Sequence, residues 1–314
     1  MMILPKFEYK KAKSVAEAIT LYQSKKGKAV YLAGGTDIIP LIKQRISTPS
    51  AVIDLKGIDE LKTVARKDGW VEIGANMTLF ELKNNPLIRD NFPALSESLE
   101  ATACETLQMR GTIGGNILQD TRCLEHNQSV EWRFARGFCI RSGGKECNVV
   151  KGAKICFANY CSDNAPALVT LKAEASLAGP KGERVVALGS FFTGDALKPF
   201  ATEAGEILTH IRIPAKKTKG AYEKLRVRES MDYPLVGVAV SAAGKGAKIC
   251  VGGVGLKPLA YEVKNIEAGI KDIVDKATID AKPVANAVVS PAYRKKMVGV
   301  LIKRAVKRAI GEGK

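Results

Sequence analysis

The chain has 314 residues, and 49 Lys and Arg against 32 Asp and Glu give it a formal charge of +17. That length suggests two domains with cores of their own, and 46% apolar with 26% charged residues excludes wholesale disorder. No apolar run nears the ~18 residues of a membrane helix, and Met1-Met2-Ile3-Leu4-Pro5-Lys6 lacks the apolar core of a secretion signal, so the expectation is a cytoplasmic protein whose seven cysteines are free, catalytic or metal-bound.

In chain order, Ser14 and Glu17 form a capping-box pattern before the apolar stripe Val15, Ala18, Ile19 and Tyr22, and Gly27 is the expected stop. Val30 to Ala33 is read as a strand running into Gly34-Gly35-Thr36-Asp37. Ile38 to Ile46 is read as a short helix interrupted by Pro40, and Ala51 to Leu55 as a strand. Asp68-Gly69 between Thr63-Val64-Ala65 and Trp70-Val71-Glu72-Ile73 predicts a hairpin. Helices are expected near Thr78–Asn84 and Pro93–Cys104, before a second glycine turn, Arg110-Gly111-Thr112-Ile113-Gly114-Gly115-Asn116.

From Leu118 to Cys161 neither period holds, yet Trp132, Phe134, Phe138, Phe157 and Tyr160 are too many aromatics for a solvated linker. Regular pattern resumes with a strand over Ala167–Leu177, a turn at Gly179-Pro180-Lys181-Gly182 and Val185 to Leu188. Strands are predicted at Ile207–Ile213, Ala221–Val227, Leu235–Ser241 and Lys248–Val254. The closing helices end with one that starts at Ser290-Pro291.

Three features carry chemistry. Each glycine turn exposes consecutive backbone amides with no Cβ in the way, which suits a diphosphate, though a tight turn alone also demands such glycines. Neither turn matches Gly-x-Gly-x-x-Gly or a P-loop. Five cysteines fall within 39 residues, with spacing Cys123-x15-Cys139-x7-Cys147-x8-Cys156 and Cys161 beyond. Without paired Cys-x2–4-Cys knuckles, such wide spacing suits an iron–sulfur cube somewhat better than zinc, and metal closure would order a segment that lacks core periodicity. Cys161, where regular structure resumes, is taken as the spare, and for His126, one of two histidines in the chain, a surface or core role is expected ahead of a ligand role. Finally, Ala215–Arg228 holds six Lys or Arg against Glu223, and Arg294–Arg308 holds seven with no acid. Solvated faces account for both, and so does an acidic protein partner. Without interleaved aromatics or a known module, nucleic acid is not expected.

Taken together, Ala33-Gly34-Gly35-Thr36-Asp37, Ile53-Asp54-Leu55, Ile73-Gly74-Ala75, Arg110 through Asn116, Asp163-Asn164-Ala165-Pro166-Ala167-Leu168, Gly205-Glu206-Ile207-Leu208, Tyr222-Glu223-Lys224 and Tyr293-Arg294-Lys295 resemble the FAD-binding medium subunit of the xanthine oxidase and carbon monoxide dehydrogenase family of molybdenum enzymes. About 40 residues between the Gly-Gly-Asn turn and Asp163 are extra relative to most of that family. This insertion is similar to the one in 4-hydroxybenzoyl-CoA reductase beta subunits, where four cysteines bind a [4Fe–4S] cluster.

The resemblance implies an α+β chain: two α/β subdomains of the vanillyl-alcohol-oxidase (PCMH) type, 1–57 and 58–178, with FAD between them and a cluster loop at about 119–161, then a C-terminal domain of antiparallel sheet and helices over 179–314. It implies FAD contacts at Val30, Tyr31, Leu32, Ala33, Gly34, Gly35, Thr36, Asp37, Thr102, Gly111, Thr112, Gly114, Gly115, Asn116, Gln119, Asp163, Leu208 and Lys224. The implied cluster ligands are Cys123, Cys139, Cys147 and Cys156. Asp163 would accept from a ribose or adenine donor, and Lys224 would offset charge near the reduced ring. The implied partners are a large molybdenum-cofactor subunit, a small [2Fe–2S] subunit and a ferredoxin donor, in a dimer of heterotrimers without membrane or nucleic acid, and no residue here is expected to act as a chemical acid, base or nucleophile.

Overall fold

The structure, a computed structural model, describes residues 3–311; Met1, Met2 and the last three residues of the expected C-terminal domain lie outside that range. Three sheets organise it. The first is parallel, with β1 (Glu8–Lys11) and β2 (Ala29–Leu32) flanking β3 (Ala51–Asp54). Every residue of β3 is buried, which is why Ala51-Val52-Ile53 runs apolar without alternation before the buried Asp54. The helix between β1 and β2, Val15–Ser24, starts where Ser14 accepts from the Glu17 amide at 3.1 Å. The Glu17 carboxylate takes the Lys13 amide instead of closing the box on Ser14. Pro40 does not interrupt the helix Ile38–Lys43, because it sits in the first turn, where a missing N–H removes no bond.

The second sheet has the order β4-β5-β8-β6-β7, with β4 (Val64–Lys67), β5 (Trp70–Gly74), β6 (Glu174–Gly179), β7 (Gly182–Ala187) and β8 (Ile207–Pro214). Asp68 and Gly69 both take positive φ, +49° and +80°, the geometry of a two-residue hairpin turn. β8 is antiparallel to both β5 and β6. The sheet therefore runs past the expected boundary after residue 178 and ends at Pro214. Strand pairing across more than a hundred residues leaves no local mark. Residues 167–170, expected as strand, are helical within Asn164–Thr170, where Pro166 fits the first turn and nearly every side chain is buried. Helices Leu79–Lys83, Pro93–Ala101 and Asn164–Thr170 bury their apolar faces in one core with this sheet, centred on Phe92, Leu95, Leu168, Phe191 and Ile211.

The third sheet is the antiparallel meander β12-β11-β10-β9, with β9 (Lys219–Leu225), β10 (Val236–Ala243), β11 (Gly246–Gly252) and β12 (Leu259–Val263). Helices Ile266–Asp280 and Pro291–Ile310 cover one of its faces. Arg294, in the second of these, is buried and donates to the carbonyls of Leu235, Gly253 and Val284 and to Asn286 Oδ1. The remaining bases of that helix split: Arg308 bonds Glu97 and Glu223, while Lys295, Lys296, Lys303, Arg304 and Lys307 are exposed.

The irregular segment is ordered, and it contains a helix, Val130–Arg136, that no periodicity announced. Ser129 caps it, and its Arg133 turns inward to the carbonyls of Gln44 and Arg45. At the base of the segment Arg122 and Asn159 exchange backbone hydrogen bonds of 2.7 and 2.9 Å. Asn286 bonds both Asn159 and Phe157, so the C-terminal part clamps the segment at its root.

Candidate functional site

The two glycine turns touch. A Cβ on Gly34 would lie 1.9 Å from the Arg110 carbonyl oxygen, and one on Gly114 2.7 Å from Ala75. Both glycines are thus required by backbone crossing backbone, while Gly35 supplies a φ of +81°. Among the described residues the amides of Gly34, Gly35, Thr36 and Asp37 donate to no protein group. They line a cavity of about 620 Å³, and such a run of free amides is an anion-binding concavity.

The second turn completes the floor. Thr112 Oγ1 accepts from the Gly115 amide at 3.1 Å and starts the helix Ile113–Ile117. Asn116 Oδ1 takes Ser162 Oγ at 2.6 Å and Asn164 Nδ2 at 2.9 Å, which ties this turn to the wall carrying Asp163. Gln119 lines the cavity, 4% exposed, and its Nε2 finds no protein acceptor. A buried donor left open at a cavity wall suits a ligand acceptor.

Asp163 is the buried carboxylate of the cavity. Tyr222 Oη donates to it at 2.8 Å, and Lys224 Nζ stands 3.0 Å from one carboxylate oxygen and 3.1 Å from the other. Burial lifts the Asp163 carboxyl to about 6 against the opposing pull of Lys224 and Tyr222. Lys224 also donates to the carbonyls of Ala101 and Asp232, both at 2.8 Å. It does not reach the cavity wall; it holds Asp163 from behind.

Of the eighteen residues expected at the flavin, fifteen line this one cavity. Val30 and Leu32 instead pack with Ile42 and Val52 under the turn, and Lys224 is the third exception. Tyr31 lines the wall and donates to the Gly205 carbonyl at 2.9 Å. Sequence reasoning missed the strap between β9 and β10. Its Arg228, Met231, Asp232 and Tyr233 line the cavity, Asp232 folds it by accepting from the amides of Val227, Arg228 and Tyr233, and Tyr233 Oη bonds Asp37 at 3.1 Å. The one available signal was a connection longer than a hairpin needs.

Beside this cavity lies a smaller one of about 10 Å³, lined by Cys123, Cys139, Cys147 and Cys156 together with Glu125, His126 and Arg141. Cys139, Cys147 and Cys156 are each under 10% exposed, and burial pushes the Cys123 thiol up to about 11. His126 bonds Ser142 at 3.0 Å. Among the described residues no three His, Cys, Asp or Glu side chains gather around a single ion position. Cys161 faces the other way and lines the larger cavity. Cys250 is buried within β11, and Cys104 stands at the start of the short helix Glu105–Gln108.

Residues 5–216 match the family described as the FAD binding domain in molybdopterin dehydrogenase. The carbon monoxide dehydrogenase medium chain of Afipia carboxidovorans is 31% identical, with 100% of each chain covered. The chain belongs to the FAD-binding medium subunits of the xanthine oxidase and carbon monoxide dehydrogenase family of molybdenum enzymes. The aldehyde oxidoreductase FAD-binding subunit PaoB of Escherichia coli is 30% identical over 89% of this chain and 92% of its own. In three dimensions this medium subunit superposes on a chain of cyanide-inactivated Cu,Mo-CO dehydrogenase with a TM-score of 0.80 at 28% identity, covering 99% of this chain and 100% of that one. The fold is therefore α+β with a PCMH-type FAD domain. The open Gln119 donor, the free amides of residues 34–37 and the size of the cavity fit FAD, whose diphosphate would meet the amides.

Proposed function

We propose that this medium subunit is an electron relay carrying FAD and one [4Fe–4S] cluster in a 4-hydroxybenzoyl-CoA reductase. Such an enzyme reduces an aryl-CoA thioester with loss of its phenolic hydroxyl, within anaerobic aromatic degradation. The observation that carries the reading is the convergence of Cys123, Cys139, Cys147 and Cys156 on one cavity beside the flavin cavity. All four side chains line that one cavity, and four thiolates are the ligand set a cubane takes. Bound FAD handles electrons singly or in pairs and a cubane passes them singly, the combination a relay needs.

This chain's residues bind and orient. The amides of residues 34–37 hold the diphosphate, Asp163 fixes a polar edge of the cofactor and is itself held by Lys224, and the thiolates hold the cluster. Substrate chemistry lies on a large molybdenum-cofactor subunit, with a small [2Fe–2S] subunit between, in a dimer of heterotrimers in the cytoplasm. Ferredoxin delivers electrons at the cluster loop.

The test is anaerobic purification with iron and sulfide analysis and electron paramagnetic resonance of the reduced protein. Expected are about four irons per chain beside flavin. Replacing Cys139 or Cys147 by Ser removes the iron and leaves FAD bound, and an iron-free or zinc-loaded wild-type chain overturns the reading. Ferredoxin-linked turnover that survives loss of the cluster overturns its place as the electron entrance. A second reading, an oxidative molybdenum hydroxylase of an aldehyde or heterocycle, draws support from the relatives named carbon monoxide dehydrogenase, aldehyde oxidoreductase and nicotinate dehydrogenase. The substrate of the co-purifying large subunit decides between the two.

A further inference from the structure

The two cavities share one wall. Gln119 and Asp120 line the flavin cavity, and Cys123, three residues beyond Asp120, lines the cysteine cavity. That spacing keeps the Cα atoms of Asp120 and Cys123 within about 11 Å. Across this wall lies Arg141. Its side chain is 10% exposed, and its guanidinium pairs with the Asp120 carboxylate and bonds Thr121 Oγ1. It also lines the cysteine cavity, together with Cys156. Arg141 is thus a cation on the wall of the cysteine cavity, paired with a carboxylate that lines the flavin cavity.

We propose that Arg141 is a positioning residue that raises the reduction potential of the cluster and couples it electrostatically to the flavin through Asp120. The inference rests on the cluster reading above. When the cluster accepts one electron from a reductant, it and its four thiolates gain one unit of negative charge. A guanidinium on the wall of the cluster cavity stabilises that added charge, and charge near the sulfurs is among the factors that set cluster potentials. Asp120 works in the opposite sense. Its carboxylate partly neutralises Arg141 and faces the flavin cavity, so one ion pair acts on both redox groups. Thr121, wholly buried, fixes the arrangement: its Oγ1 donates to the Ala196 carbonyl at 3.1 Å while accepting from Arg141.

The experiment is a dithionite titration of the full-length, FAD-loaded, cluster-reconstituted chain, with the cluster followed by electron paramagnetic resonance and the flavin by absorbance. Arg141→Gln should keep its iron, sulfide and FAD and lower the cluster midpoint by about 59 mV, tenfold in the one-electron equilibrium. Arg141→Lys, which keeps the charge and loses the planar fork, should recover part of that shift. Asp120→Asn, which leaves Arg141 in place, should raise the midpoints of cluster and flavin together. A merely structural role would change iron content and leave the potential of the remaining clusters unmoved. Full cluster content in Arg141→Gln with a wild-type midpoint overturns the proposal and leaves the cluster reading intact. Should Arg141→Gln lose its cluster, Asp120→Asn still decides: no upward shift in either midpoint overturns the proposal. A wild-type chain that binds no iron overturns both.

Discussion

Replacing Lys224 by Met probes the most deeply buried ion pair. Lys224 and Asp163 side chains are each 4% exposed, so solvent screens little of their interaction. The substitution leaves the carboxylate with Tyr222 alone and strips the Ala101 and Asp232 carbonyls of a donor. Breaking a buried pair from one side costs about 3–5 kcal/mol, which at ~3 kcal/mol per molar urea is a midpoint loss of roughly 1–2 M. The Lys224→Met/Asp163→Asn double variant should lose less than the sum of the single variants, by about 2 kcal/mol.

The pH dependence has a definite sign. Asp163 is already raised to about 6 with Lys224 present, and removing the cation raises it further. A carboxyl that holds its proton more tightly when folded than when unfolded gives stability that is fully present below the unfolded value and lost as pH rises through the folded one. The variant should therefore recover stability as pH falls from 8 towards 5, relative to wild type. The assay is urea unfolding by intrinsic fluorescence at several pH values, with FAD content measured alongside. A loss under 1 kcal/mol at pH 8, or strict additivity with Asp163→Asn, would refute the account of Lys224 as the support of Asp163.

Gly34→Ala forces the two glycine turns apart at the Arg110 carbonyl, so it should cost about 1–3 kcal/mol and empty the chain of flavin, read by absorbance after gel filtration. Gly189→Ala, with nothing within 4 Å of the added Cβ, should change stability by no more than about 0.5 kcal/mol and leave flavin bound. Arg294→Met removes a donor from the Leu235, Gly253 and Val284 carbonyls and from Asn286 Oδ1; a loss of about 3 kcal/mol is expected, with partial rescue by Arg294→Lys, measured by thermal unfolding. Tyr233→Phe removes the bond to Asp37 and should weaken FAD binding severalfold at most, since one hydrogen bond contributes about 1 kcal/mol; flavin fluorescence titration reads it, and no change would mean the strap is held by Asp232 alone.

Much of this protein was legible residue by residue. Ser14, Thr78 and Ser290 cap their helices as local chemistry requires, Asp68-Gly69 turns its hairpin, and both glycine turns lie on the flavin cavity. These features depend on neighbours within a few residues, where side-chain volume and backbone freedom decide the outcome. Local reading failed where distant segments decide: β8 inserts between β5 and β6, Asn164–Thr170 is helical because the core closes around it, and the strap reaches Asp37 across 196 positions.

The sequence alone determined the chemistry at hand: two turns without Cβ atoms, four cysteines in one insertion, and an excess of cations. Only the tertiary structure decided their geometry. It set Gly34 against Arg110, placed Lys224 behind Asp163 rather than in the cavity, turned Cys161 away from the other four thiols, and laid Arg141 across the wall between the two cavities. The reason is that burial and charge pairing are properties of space. A lysine in a basic stretch of sequence is a solvated cation until folding removes the water and leaves it one carboxylate to face.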